Sequence, residues 1–168
     1  EIRHTLKHSP ANHAMTAEAE LLLMNASRAQ LVREVIRPAL AAGEMVLCDR
    51  FYDSTIAYQG HGRQLDLQMV KSIIDVAVGN TRPDLTLLFI IPDEVSEARR
   101  LARQPTLPLR FQRDRMEEAD RSFFTRVAEG YQAIAAAEPQ RVRQFDATGE
   151  VATTQAAIWQ LVQPLLAY

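Results

Sequence analysis

Leu85-Thr86-Leu87-Leu88-Phe89-Ile90-Ile91 is an apolar run broken only by a threonine. Successive strand residues face opposite sides, so this run is apolar on both. That is the pattern of a buried parallel strand, covered by helices and paired along both edges. Pro92 closes the run, and Asp93 suits the cap of a following helix. Downstream, Phe123, Val127, Tyr131 and Ile134 recur at helical spacing as far as Pro139. Val142–Asp146 then predicts a strand and residues 151–166 a last helix. Upstream, Thr16 with Glu18 and Glu20 opens a helix whose apolar positions are Leu21, Met24, Leu31, Val32 and Val35. Pro38 should kink its last turn and Gly43 stop it. Met45-Val46-Leu47-Cys48 predicts a short strand, and residues 67–78 a helix burying Met69, Val70, Ile73, Ile74 and Ala77. Strands alternating with helices predict an α/β fold, a parallel sheet with helices on both faces.

The 168 residues suffice for a single domain over 1–168. With 19 basic against 21 acidic side chains, the net charge of −2 draws the chain to neither nucleic acid nor membrane. An anionic ligand must therefore be held by local arginines. No apolar run approaches the ~20 residues of a membrane span. Glu1-Ile2-Arg3-His4 does not read as a signal peptide, and the single cysteine, Cys48, fits a reduced, cytoplasmic setting. His4, His8, His13 and His61 lack metal-ligand spacing, and no nucleophile–base–acid set is visible.

In open α/β sheets ligands bind beyond the carboxyl ends of strands, where Asp49 and Arg50 fall. There an aspartate can hold Mg²⁺ and an arginine can grip phosphate oxygens, although an isolated Asp-Arg pair would also serve as a strand-end salt bridge. This pair continues as Phe51-Tyr52-Asp53-Ser54-Thr55-Ile56-Ala57-Tyr58-Gln59-Gly60-His61-Gly62-Arg63. The stretch closely resembles the signature of bacterial thymidylate kinases: an aspartate-arginine-aromatic triplet, a serine, Ala-Tyr-Gln-Gly and a following arginine. The resemblance runs from residue 1 to the end and implies a P-loop nucleoside-monophosphate kinase fold. It also implies transfer of the γ-phosphate of ATP to dTMP with Mg²⁺, in a homodimer.

Carried onto this chain, the resemblance makes Arg50 the holder of the acceptor phosphate and Asp49 the organiser of Mg²⁺ or of the attacking end. Arg28, Ser54, Thr55, Tyr58 and Gln59 would line the nucleoside pocket, with Arg28 on the thymine edge. Met24 lies one helical turn before Arg28, where the family carries an aromatic that stacks on the base; Met24 and Asn25 depart from that pattern. A thioether can still lie against a ring. The arginine-rich stretch at about 100–116 resembles the lid, with Arg103, Arg110, Arg113 and Arg115 as candidates to reach the phosphates; such a loop can equally be only solvated. Ala147, Thr148, Gly149 and Glu150 would lie beside the adenine of ATP.

No Gly-x-x-x-x-Gly-Lys-[Ser/Thr] occurs in the sequence, whose only lysines are Lys7 and Lys71. In this family that loop follows a first strand standing between the strands that correspond to Met45–Cys48 and Leu85–Ile91. The expectation is thus an N-terminally incomplete kinase domain, active only with that segment. The alternatives are a deoxynucleoside kinase, or an inactive nucleotide-binding remnant.

Overall fold

A computed structural model describes residues 2, 6, 14–103 and 120–166 of the chain. They fall into two compact units, one of residues 1–83 and 113–136, the other of residues 84–112 and 137–168.

The first unit is helical. Helix α1 (Ala17–Leu31) opens where Thr16 Oγ1 accepts from the amide of Ala19 at 3.2 Å, one of the orphan donors of a helix start. It runs through a π-helical turn, Val32–Ile36, into α2 (Arg37–Ala41). Pro38 lies where the π turn passes into α2, two residues beyond Ile36. Gly43 ends the helix at φ 78°. The π turn inserts a residue and rotates the side chains downstream of it. The buried stripe is Leu21, Asn25, Val32 and Ile36; Val35, expected inside, lies within the π turn and is 54% exposed, and Leu31, just before the turn and also expected inside, is 40% exposed.

Helix α3 (Tyr52–Thr55) continues as a second π-helical segment, Ile56–Gly62. Helix α4 (Leu67–Val78) is capped by Asp66, which accepts from Met69 N at 2.8 Å. It packs against α1 through Val70, Ile74 and Ala77, but Met69 is exposed. Arg37 closes the far end of α4, donating to the carbonyl of Val78 at 3.2 Å.

Met45–Cys48 is not the expected strand. An apolar run becomes a strand only when a neighbour accepts its ladder bonds. Among the described residues the sole ladder lies elsewhere, and Leu47 is 88% exposed.

The second unit holds that ladder. Strand β1 (Thr86–Ile90) pairs in parallel with β2 (Val142–Asp146), in register from Thr86 opposite Val142 to Ile90 opposite Asp146. The crossover includes α5 (Asp93–Arg103). β1 is only half-buried and Phe89 is exposed, short of the burial on both faces expected of the run, and among the described residues β2 is its one ladder partner. Helix α6 (Arg121–Ala137) turns Phe123, Val127, Gly130 and Ile134 into the first unit. After β2, α7 (Val151–Val162) runs into a 3₁₀ turn to Leu166.

Candidate active site

The segment from Asp49 to Arg63 departs from ordinary helix geometry twice. Arg50 takes a φ of 65°, a left-handed conformation that costs a residue with a Cβ roughly 1–2 kcal/mol. Beyond that turn Tyr52 starts a helix that loosens at Ile56, so that the amide of Arg63 bonds the carbonyl of Tyr58 at 2.8 Å, five residues back. π turns are rare and concentrate at functional sites. Close packing explains two glycines here. A Cβ at Gly60 would stand 2.6 Å from Leu67 Cδ2, and one at Gly62 would stand 2.6 Å from the ring of Phe123.

Arg50, Ser54, Tyr58 and Tyr131 form one cluster. Arg50 Nε donates to Ser54 Oγ at 3.2 Å, and its guanidinium lies 4.5 Å from the centre of the Tyr58 ring. Ser54 Oγ and Tyr131 Oη share a hydrogen bond of 2.8 Å, and the two tyrosine rings meet edge to face. Burial pulls the Arg50 guanidinium down, but Tyr58 and Tyr131 more than offset it and leave the group above its ordinary value. Burial also raises the Tyr131 phenol, against the opposing pull of Ser54 and Arg50. At neutral pH the cluster is therefore a cation held in place by the Ser54 hydroxyl and the Tyr58 ring, suited to hold a phosphate.

A second cluster surrounds Arg28. Its Nη1 donates to Asn25 Oδ1 at 2.8 Å and its Nη2 to the carbonyl of Phe51 at 3.3 Å. The buried Asn25 in turn donates Nδ2 to the carbonyl of Leu21 at 2.8 Å. Burial pushes Arg28 down to about 10, with Cys48 and Asp53 opposing, so the group stays charged at neutral pH. Burial raises the neighbouring Cys48 thiol, whose Sγ lies 3.6 Å from the carbonyl of Arg50.

Beneath both clusters lies an ionic knot. Glu20, 1% exposed, accepts from Gln59 Nε2 at 2.8 Å and from Arg63 Nη2 at 3.0 Å. Arg63 also stacks over Phe123, 4.8 Å from the ring centre. Arg126 on α6 adds two bonds, of 3.1 and 3.0 Å, to the carbonyl of Gly62.

Of the residues singled out from the sequence, Arg28, Arg50, Ser54 and Tyr58 stand in these clusters. Gln59 is engaged by Glu20, and Thr55 is buried one turn before it. Asp49 is exposed at the turn, and Met24 is half-buried one turn before Arg28. Ala147, Thr148, Gly149 and Glu150 belong to the second unit, where Asp146 Oδ1 accepts from Thr148 N at 2.8 Å and Thr148 Oγ1 at 2.6 Å. Arg103 ends α5, while Arg110, Arg113, Arg115 and most of the 100–116 stretch lie outside the described residues. Sequence reasoning missed Tyr131 as a partner of Ser54, since its place in an amphipathic repeat reads as core. It marked Asn25 only as a departure from the family pattern and not as the partner of Arg28. Among the described residues no group of three or more His, Cys, Asp or Glu gathers as a metal cage, and no helix is long and apolar enough to cross a membrane.

The profile of the thymidylate kinase family matches residues 1–158. The thymidylate kinase of Synechococcus sp. (strain JA-2-3B'a(2-13)) is 48% identical over 148 residues, 88% of this chain and 67% of that protein. The thymidylate kinase of Alcanivorax borkumensis is 43% identical over 160 residues, covering 95% of this chain and 74% of its own. The crystal structure of thymidylate kinase from Ehrlichia chaffeensis matches with a TM-score of 0.65 at 25% identity, over 90% of this chain and 67% of that one.

Proposed function

The chain belongs to the thymidylate kinase family, and we propose that it serves the transfer of the γ-phosphoryl group of ATP to dTMP, forming dTDP. The observation that carries this is the cluster of Arg50, Ser54, Tyr58 and Tyr131 on the strained turn and π-helix of the signature. Phosphoryl transfer asks little covalent chemistry of a protein; it asks for positioning and charge stabilisation. Arg50 holds the phosphate of dTMP, and the Ser54 and Tyr131 hydroxyls fix Arg50. Arg28 reads the thymine edge, with Met24 against the ring, while Tyr58, Thr55 and Gln59 shape and support the pocket.

Asp49 offers an exposed carboxylate, a hard oxygen donor of the kind Mg²⁺ takes together with substrate phosphates rather than in an all-protein cage. Mg²⁺ held there would neutralise charge on phosphate oxygens. Residues 147–150 bound the adenine, and Arg103, Arg110, Arg113 and Arg115 belong to a lid that closes over the phosphates. The setting is cytoplasmic and the chain acts as one nucleotide-kinase domain. Exposed Leu22, Val35 and Leu40 on α1, its π turn and α2 support a homodimer.

The test is ADP formation by the full-length protein with ATP–Mg²⁺ and either dTMP or thymidine. Turnover with dTMP and none with thymidine is expected. The opposite preference would make the protein a deoxynucleoside kinase and remove Arg50 from the role of phosphate holder.

A further inference from the structure

Arg28 is the group proposed above to read the base, and a long flexible side chain reads an edge only if its fork is held. Two acceptors hold it, the Asn25 amide and the Phe51 carbonyl. The carbonyl is a fixture of the signature turn, whereas Asn25 is a choice of side chain. It occupies a buried position between Leu21 and Val32 in the stripe that α1 turns inward, 3% exposed, where a polar group is unfavourable unless bonded. Both ends of its amide are bonded. Nδ2 donates to the Leu21 carbonyl one turn back, which leaves Oδ1 facing Arg28. The amide thus accepts Nη1 while the backbone accepts Nη2, and the remaining N–H groups of the guanidinium are left for a ligand.

We infer that Asn25 is a positioning residue that fixes the donor edge Arg28 presents to the nucleobase, and so sets the preference for a pyrimidine with a carbonyl at ring position 4 over one with an amine there. The chemistry of that preference is elementary. Thymine offers an acceptor at that position and cytosine a donor, so a rigid N–H edge accepts one and repels the other. A loose arginine can swing away from the amine, and the discrimination falls. The inference rests on Arg28 being the base reader.

The alternative is that Asn25 merely stabilises α1 through its bond to Leu21, and two substitutions separate the roles. Asn25→Ser keeps a hydroxyl that can bond the carbonyl four residues back but cannot reach Arg28. Asn25→Asp keeps an acceptor for Arg28 and loses the donor to Leu21. Steady-state kinetics of the full-length protein with dTMP and dCMP give the readout. Asn25→Ser and Asn25→Ala should each raise KM for dTMP and reduce the dTMP-over-dCMP preference roughly tenfold, with kcat little changed. Asn25→Asp should keep the preference even where its melting temperature falls. In an Arg28→Ala background, Asn25→Ala should change the preference no further. Wild-type preference in Asn25→Ser with loss in Asn25→Asp overturns the inference, as does an undiminished effect without Arg28. A wild-type protein indifferent to the two nucleotides overturns Arg28 as base reader and the inference with it; a selective wild type with an equally selective Asn25→Ala variant overturns the inference alone.

Discussion

The signature segment at 49–63 and the turn at 146–150 both join secondary-structure elements, and both carry residues assigned to nucleotide. They are held differently. In the signature, Ser54 bonds Tyr131 at 77 residues' remove, Gln59 bonds Glu20 across 39, and Gly62 receives Arg126 across 64. At 146–150 the exposed Asp146 carboxylate is bonded by Thr148 two residues away, and the one distant side-chain bond is a long one of 3.4 Å, from the exposed Arg99 to the Thr148 carbonyl. A segment fixed by distant partners keeps a strained geometry, here the left-handed Arg50, because the surroundings over-determine it. A turn held by neighbouring side chains and one long surface bond, with no residue at positive φ, has no comparable strain to hold. Substitutions in the first should reach beyond the residue changed, and substitutions in the second should not.

The largest effect is expected from Glu20→Ala. It leaves Arg63 and Gln59 without their buried acceptor, and Arg63 is itself largely covered. A loss of about 2–3 kcal/mol should appear in denaturant unfolding. A loss below about 0.5 kcal/mol, the range of ordinary surface changes, would remove the knot as the anchor of the signature.

Arg50→Ala should separate activity from stability. Losing a charge-assisted grip on the acceptor phosphate should cost roughly 1.5–3 kcal/mol in kcat/KM, about ten- to a hundredfold. Unfolding should change by less than activity, because the bond to Ser54 and the stacking on Tyr58 that are lost lie at the partly exposed edge of the cluster. Arg50→Gly should lose the same activity while gaining up to about 1 kcal/mol, since glycine takes a φ of 65° without strain. Near-normal dTMP turnover in either variant would reduce Arg50 to a partner of Ser54. Gly130→Ala comes next. Its Cβ would stand 2.8 Å from the His61 ring in the middle of the signature, and overpacking there should cost about 1–2 kcal/mol, with a parallel rise in KM.

Periodicity made much of the fold legible. The strand at Val142–Asp146 and the helix at Leu67–Val78 have the predicted limits, because their apolar spacing agrees with the caps and breakers around them. It failed where geometry depends on a partner. Val35 is exposed within a π turn, which has no period to read, and Leu31 is exposed on the last residue before it. Met45–Cys48 has a strand's composition without a strand's ladder. At the site, signature spacing marked Arg50, Ser54 and Tyr58, yet Tyr131 reads as one more member of an amphipathic helix until α6 is laid against the π-helix. Glu20 reads as an acid matched to a helix dipole, and only tertiary packing reveals it as the acceptor of Arg63 and Gln59.

The smallest effect belongs to the local turn, and its sign follows from titration. Hydrogen bonds from the Thr148 side chain and amide hold the Asp146 carboxyl below its ordinary value of 3.8. A carboxyl depressed in the folded state contributes stability that is present above its unfolded value and lost as the pH falls through its folded value. Asp146→Asn should therefore melt slightly below the wild type, by a margin constant from about pH 5 to pH 8 and shrinking only below about pH 4. Because the bonds run to a neighbouring residue, salt should leave the margin almost unchanged; a short hydrogen bond is not screened as a distant charge pair is. Thr148→Ala should abolish half of the arrangement and move the melting curve in the same direction. dTMP affinity should stay at its wild-type value in both variants. If either changed dTMP binding as much as Arg50→Ala does, the turn at 146–150 would be coupled to the acceptor site, and the contrast with the signature segment would fail.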